Sequence, residues 1–366
     1  MELPSQWINE ADLQLIRAEA VAAEQQGCLT DKQLSLLIDR KWLKLFVPSE
    51  YAGIQMTLPQ AIRLEEALAH ADGSLGWVVT LCSGAAWFAG FLKENVVQAF
   101  SAPVNACWAG SGMPTGTAQV TKNGYRINGQ WKYASGALHA TVFTANCRMI
   151  NEDGNAILDE AGQQQIRPFV FRKDEVQLNR NWKSSGMIAT GSHGFSISDL
   201  EVPADRCFRI DPTAAIQPGL AYQYPFLQLA EATLAVNISG IATHFIKEAK
   251  AIIHQRIQSG QIPAHAAASI GFLCNDKEVA VDDCRKALHD SVESSWVELE
   301  AAGGITTTTL ERVSGTSRTL ALQARLACEA LYVHCGMEAG RWDTILNRTW
   351  RDLHTASQHG LLLYER

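Results

Sequence analysis

Two side chains in the C-terminal part of the chain are equipped to move a proton. His359 closes the segment Arg348-Thr349-Trp350-Arg351-Asp352-Leu353-His354-Thr355-Ala356-Ser357-Gln358-His359. An imidazole, with an ordinary pKa of about 6.5, gives and takes a proton near neutrality, although the same residue serves equally as a helix cap or an interface group. His354 lies five residues earlier, off the same helical face. Glu231 is the only charged residue between Pro225 and Ala242. Desolvated on such a helix, a carboxylate gains proton affinity and suits a general base; facing water, or paired with an arginine, it is structural. Small and hydroxylic residues gather in GSGMPTGTA (Gly110–Ala118) and in GQWKYASG (Gly129–Gly136). Glycine there lets backbone approach a partner closely, and the same residues also make an ordinary hairpin with turn glycines and a core tyrosine. The nine cysteines include no CxxC and no metal-like pairing with histidine, so they are expected to be free thiols in a reducing compartment.

The elements that must position these groups change period twice. From Glu10 to about Phe100 apolar residues recur at helical spacing, as in Leu13, Ile16 and Ala20. Thr30 with Gln33, and Thr57 with Gln60 and Pro59, match capping boxes. Gly73 to Leu92 carries no charge for about the length of a membrane helix, but small polar residues dilute it, and a buried helix is the expectation. Between Ala106 and about Ile210 the pattern alternates, and Asn123-Gly124, Asn128-Gly129 and Asp153-Gly154 mark tight turns between strands. After Pro218 helical periodicity returns over 225–258, 263–302, 306–337 and a last stretch through Arg366. At ~1.5 Å per residue the second of these approaches ~60 Å, which calls for a bundle of long antiparallel helices.

The expected fold is therefore α+β, mostly α. An N-terminal helical domain (1–104) precedes a small β-barrel or sandwich domain (105–212) and a C-terminal four-helix bundle (213–366). A chain of 366 residues has a prior of two to three domains at roughly 150 residues each. The charged share is only 19%, below the roughly 25% usual for globular chains, which suggests surface hidden in helix packing or against other subunits. A net charge of −7 leaves no electrostatic footprint for nucleic acid or an anionic membrane. The first twenty residues contain no hydrophobic signal core, and a cytoplasmic protein is expected.

Five motifs in this order resemble the acyl-CoA dehydrogenase superfamily along essentially the whole chain. Val47-Pro48-Ser49-Glu50-Tyr51-Ala52-Gly53 is similar to "VP.EYGG", with Ala52 replacing a glycine, and Ala71-Asp72-Gly73-Ser74-Leu75-Gly76-Trp77 resembles a helix opening of the family. Gly110–Ala118 stands where the family has "TEP..GSD", Gly129–Gly136 matches "GxKxWITNG", and Trp182–Ser192 with Val202-Pro203-Ala204-Asp205 matches the later β-domain signature. The final segment resembles the "RDxHTASxH" of the branch that includes two-component flavin monooxygenases.

That resemblance implies a flavin, FAD by default and FMN as the alternative. Ser111 would donate to the pyrimidine edge of the ring, Tyr133 would flank it, and Ser135 would reach its N5 side. Gly112, Gly116 and Thr117 would let backbone approach cofactor or substrate phosphate. The adenine-side features are thin: Arg256 lacks the following "FG", and Tyr332–Gly336 lacks the glutamine of "QxxGG". The leading expectation is oxidation of the CH–CH bond of an acyl thioester, such as an acyl-CoA, with Glu231 as base. The alternative is a monooxygenase fed by a flavin reductase, with Ser135 and His359 managing oxygen chemistry; a non-catalytic flavin-binding scaffold is the third. Against the first, the "YEGT" glutamate is absent; against the second, Ala85 stands near the place of a helix histidine. The resemblance also implies a homo-tetramer or dimer of dimers, and a flavin reductase or electron-transfer flavoprotein as partner.

Overall fold

The computed structural model describes residues 7–364, with helices at both ends of the chain and one sheet between them. The expected last helix through Arg366 reaches past these residues at its final two positions. The first five helices are α1 (Glu10–Gln26), α2 (Asp31–Asp39), α3 (Leu58–Ala71), α4 (Gly73–Ala86) and α5 (Glu94–Ser101). Both expected capping boxes form, Thr30 with Gln33 and Thr57 with Gln60, satisfying amides that a helix start leaves without partners. Asp72 caps α4 by accepting the Leu75 amide at 2.9 Å. The uncharged stretch is not one α-helix: α4 stops at Ala86 and a 3-10 turn carries Trp87–Phe91. This stretch and the later Phe226–Gln258 are both long and apolar enough to cross a bilayer, yet 83% and 94% of their most apolar windows are buried inside this chain. Their apolar residues form its core.

The strands are β1 (Trp108–Thr121), β2 (Gly124–Ala134), β3 (Val142–Ile150), β4 (Ile166–Arg172), β5 (Gln177–Asn179) and β6 (His193–Pro203). They make one sheet in the order β4-β3-β1-β2-β6-β5, with β1 and β3 parallel and the other pairs antiparallel. Phe143 on β3 and Phe195 on β6 meet at 4.9 Å although β1 and β2 lie between their strands. In a flat sheet, three steps of ~4.8 Å would put those strands roughly 14 Å apart. The sheet therefore curls around an aromatic core with Trp131, Phe169 and Phe171. The β region is a single curled sheet, with β4 and β5 at opposite ends of the strand order.

Asn123-Gly124 makes the β1–β2 hairpin, but Asn128-Gly129 is no turn; it runs within β2. Thr117 pairs with Asn128, which sets Gly116 opposite Gly129. A Cβ on Gly116 would lie 2.2 Å, and one on Gly129 2.6 Å, from the ring of Trp131. The two glycines are bare because the indole covers them.

The C-terminal helices are α6 (Phe226–Gln258), α7 (Ala264–Ala302), α8 (Thr307–Tyr332), α9 (Met337–Gly340), α10 (Ile345–Ala356) and α11 (Gly360–Leu363). At Gly336, whose φ of 67° is left-handed, the expected third long helix has already ended, so α9 is a separate turn. Helix α6 is the axis, packing on α3, α4, α7, α8 and α10. One buried carboxylate ties three of these helices. Glu66 of α3 accepts from Arg285 at 2.7 and 3.0 Å, contacts His289 of α7 at 2.9 Å, and accepts from Ser239 of α6 at 2.6 Å. Burial opposes its charge, but His289 and Arg285 outweigh burial and hold the carboxyl down at about 2. A carboxyl titrating near 4.5 when unfolded and about 2 when folded stabilises fully above the first value and loses that contribution as pH falls towards the second. Glu66→Ala leaves Arg285 buried without its main partner and is expected to cost about 3–5 kcal/mol at neutral pH. Denaturant unfolding at pH 7 and pH 3 measures this, and the difference between wild type and variant narrows at the lower pH.

Candidate active site

The segment from Trp182 to Ser192 has little secondary structure of its own, and α10 holds it in place. Asp352 accepts the Met187 amide at 2.5 Å, and Arg351 donates to the Ser185 carbonyl at 2.7 Å. Between those anchors, a Cβ on Gly186 would sit 2.0 Å from the Arg351 carbonyl oxygen, so only glycine lets the two backbones meet. Trp182 closes the loop on itself by donating its indole N–H to the Met187 carbonyl at 2.9 Å. Two separate sequence signatures, WKSSGMIATGS and RDLHTASQH, are thus the two halves of one clamp.

The clamp presents Thr190 and Ser192 to the end of β2. Ser135 lies 2.9 Å from Ser192, Ser192 lies 2.6 Å from Thr190, and Thr190 donates to the Met187 carbonyl at 2.7 Å. From the other side, Trp77 of α4 donates its indole N–H to the Ser135 hydroxyl at 3.2 Å. The Trp77 ring also meets His359 edge-on, with centroids 6.1 Å apart. His359 caps α11, its Nδ1 accepting the Leu361 amide at 3.4 Å. A hydroxyl, an indole and an imidazole from three distant parts of the chain therefore converge where helices meet the sheet.

The surroundings suit a planar aromatic ligand with a polar rim. Between Ser111 and Gly116 the β1–β3 register shifts, and Gly112–Thr115 bulges from the ladder. Ser111 is half-buried at the start of that bulge, and nothing stands within 4 Å of where a Gly112 side chain would begin. Tyr133 occupies a second irregularity, between β2 and β6, with φ of 64°. This left-handed conformation turns the ring outwards, 67% exposed and edge-on to Trp182 at 6.2 Å. An open glycine bulge and an exposed aromatic ring beside the hydroxyl cluster fit a flavin.

Other residues singled out from sequence lie elsewhere. The carboxylate of Glu231 is buried on α6, where Arg318 donates to it at 2.9 Å and the Ser314 hydroxyl bonds it as well, both from α8. Pairing with an arginine, one of the roles left open by sequence, is the one observed. A Cβ on Gly116 would meet the Trp131 ring, and Thr117 directs its hydroxyl to the Asn128 carbonyl of the hairpin at 3.5 Å. Arg256 donates to the His334 carbonyl at 3.2 Å and lies against Gly336, so it serves the turn after α8. His354 stacks on Trp350 at 4.1 Å, away from the Trp77 contact. Trp77, Thr190, Ser192 and Asp352 were not singled out, although each lies inside a recognisable motif. Short hydroxyl and indole residues carry no periodic signal that would have marked them.

Residues 232–363 match the family described as Acyl-CoA dehydrogenase, C-terminal domain. The chain is 26% identical over 328 residues to the indole-3-acetate monooxygenase of Pseudomonas putida, covering 87% of this chain and 80% of that protein. It is 22% identical over 371 residues to the flavin-dependent monooxygenase oxygenase subunit HsaA of Rhodococcus jostii, covering 96% and 92%. The solved structure of XiaF from Streptomyces in complex with FADH2 and glycerol shares the fold, with a TM-score of 0.87 at 18% identity over 98% of this chain and 90% of that one.

The clamp holds its loop with a carboxyl whose proton affinity burial raises. Burial, then the nearby Asp72 carboxylate, raises the Asp352 carboxyl to about 7, against the pull of the Met187 amide and Arg348. A group ionising near 3.8 when unfolded and about 7 when folded binds its proton more tightly in the native state. Stability from this group is present below the first value and is lost as pH rises through the second. Asp352→Asn keeps an oxygen for the Met187 amide but has no proton to lose. The variant is expected to unfold at a temperature that no longer declines between pH 4 and 7, as thermal melts across that range would show.

Proposed function

We propose that this chain, a member of the acyl-CoA dehydrogenase superfamily by its fold and C-terminal domain, is the oxygenase component of a two-component flavin-dependent monooxygenase acting on a small aromatic compound. One observation carries this choice over thioester dehydrogenation: Ser135 and His359 meet at Trp77, whereas Glu231 is tied to Arg318 and Ser314. Removing an α-proton needs a carboxylate free to receive it, and Glu231 is already engaged on both oxygens. Accordingly, dehydrogenation of an acyl-CoA, the leading expectation from sequence, yields to the alternative. The aromatic substrate class is carried from the relative named for indole-3-acetate.

Ser111 and the Gly112 bulge would hold the polar rim of the flavin and Tyr133 would wall its ring, with FAD the expected form. When bound, the reduced flavin supplies two electrons that, with dioxygen, place one oxygen atom on the substrate and release the other as water. Ser135 orients the reacting edge through its hydroxyl. His359 exchanges a proton close by, held at its angle by Trp77 and the α11 amide. The uncharged, buried α4 keeps water away from these groups. A separate flavin reductase is the implied partner. Exposed Leu322, Leu326, Val333, Met337 and Trp342 on and after α8 support self-association as a tetramer or dimer of dimers, which sedimentation equilibrium would reveal as a mass above that of one chain.

Supplied with a flavin reductase, NADH, FAD and isotopically heavy dioxygen, the purified chain is expected to convert indole-3-acetate or a related aromatic into a product carrying one heavy oxygen. Ser135→Ala and His359→Ala should each lower product formation by roughly a hundredfold, the scale of a positioned acid–base group. Reduced flavin would still be consumed in both, with hydrogen peroxide released instead. Oxidation of an acyl-CoA without oxygen incorporation would overturn the proposal in favour of dehydrogenation, and flavin binding without either turnover would favour the scaffold.

A further inference from the structure

Cys82 of α4 and Cys107, the residue before β1, are 25 positions apart in the chain and touch in the core. Cys107 donates its thiol proton to the Cys82 sulfur at 3.8 Å, and Cys82 donates in turn to the Ser135 carbonyl at 3.6 Å. Among the described residues, which include all nine cysteines, no other two thiols share a hydrogen bond. Backbone holds the pair from both sides. The Cys107 carbonyl accepts the Thr141 and Val142 amides at 2.9 and 3.1 Å, and the Cys107 amide bonds the Thr141 hydroxyl at 3.1 Å. Opposite, a Cβ on Gly136 would lie 2.7 Å from the Cys82 sulfur, so this thiol rests against a bare Cα. A disulfide needs its sulfurs about 2.05 Å apart, so bonding takes a closure of roughly 1.8 Å shared between two side chains.

We propose that Cys82 and Cys107 are a modification site, a thiol pair that hydrogen peroxide converts reversibly into a disulfide. One sulfur, as thiolate, takes an oxygen atom from the peroxide; the O–O bond breaks, and the departing hydroxide leaves as water with the thiol proton. The other sulfur then displaces the hydroxyl of that sulfenic acid, and its own proton departs with the hydroxyl as a second water. Each sulfur gives up one electron, and the two peroxide oxygens receive both. The thiols are 0% and 1% exposed, which shuts out large reagents but not a molecule close to water in size. The Cys107 contact, then burial, pushes the Cys82 thiol well up. With little thiolate near neutrality, the pair responds to sustained or locally concentrated peroxide and not to traces. The oxygenase reading above supplies such a source, since reduced flavin that meets oxygen without substrate releases peroxide; only that source rests on it. A disulfide has no S–H, so oxidation strips the Ser135 carbonyl of its thiol donor and draws Cys82 off Gly136, loosening the end of β2.

The test needs no turnover. Purified wild type is treated with hydrogen peroxide, unfolded, alkylated and digested without reduction. One joined peptide holding Cys82 and Cys107 is expected, lighter by two hydrogens than its two parts, with both alkylated peptides lost in equal measure and restored by dithiothreitol. Hydrogen exchange at the Gly136 and Ala137 amides, which bond the Thr190 and Ala134 carbonyls, should quicken about threefold on oxidation, the scale of one weak hydrogen bond, and recover on reduction. Cys107→Ser keeps the Cys82 contact with Ser135 and should abolish both the joined peptide and the peroxide-dependent change in exchange. Cys82→Ser removes the joined peptide as well and carries the comparison if the first variant does not fold. Oxidation of Cys28, Cys207 or Cys284 while Cys82 and Cys107 both remain alkylated would overturn the inference and leave the flavin reading intact. Sulfinic acid at either position without the joined peptide would overturn it equally. A joined peptide in a protein that binds no flavin would uphold the thiol site and remove the flavin reading with its source of peroxide.

Discussion

The hydrogen bond from the Met187 amide to Asp352 joins groups 165 residues apart, and the site depends on it. The Trp182–Ser192 segment has only one short 3-10 turn of its own, so its conformation must be imposed from outside. Asp352 imposes it by capturing one amide, Arg351 by capturing one carbonyl, and Gly186 by allowing the backbones close enough for both. Once Met187 is fixed, its carbonyl terminates the hydroxyl chain and receives the Trp182 indole. The cost is a buried carboxylate beside Asp72, visible as proton affinity raised to about 7. A carboxylate close to neutrality at the base of the site is the consequence of using one to hold a loop in a desolvated place.

The same physics sorts the other buried acids. Glu66 meets Arg285, His289 and Ser239 and is held ionised. Glu231 meets Arg318 and Ser314. Burial pushes the Glu65 carboxyl up to about 8, against the hydrogen bond that Ser83 donates to it. An ion taken out of water needs a partner of opposite charge or gives up its charge, and each of these residues follows one course or the other. Their partners come from neighbouring helices, so these acids hold the bundle together.

The residues at the site come from elements that share no local structure. Trp77 rides on α4, Ser135 ends β2, Thr190 and Ser192 sit on the clamped segment, and His359 follows α10. Helices α4 and α10 both pack on α6, and the sheet reaches α4 through β1, so the site lies where all three regions touch. Backbone irregularities occur in the same neighbourhood: the β1 bulge at Gly112, the left-handed Tyr133 and the left-handed Met187. Non-glycine residues at positive φ are uncommon and persist when surrounding contacts over-determine them.

Much of this was legible in the residues alone. Helical and alternating periods reflect which side of an element faces the core, and that is a local property, so the helix, sheet, helix order, the capping boxes at Thr30 and Thr57 and the buried Gly73–Leu92 stretch could all be read. Ser135 and His359, which the motifs singled out, both contact Trp77. Asn128-Gly129 misled because a glycine freed for a turn and a glycine bared for an indole look identical in one dimension. For Glu231 the sequence left base and arginine partner both open, because its arginine is 87 residues away on another helix. Composition and periodicity determined the elements; only the tertiary structure decided which hydroxyls meet and which carboxylate is already paired, because those depend on partners that are adjacent in space and remote along the chain.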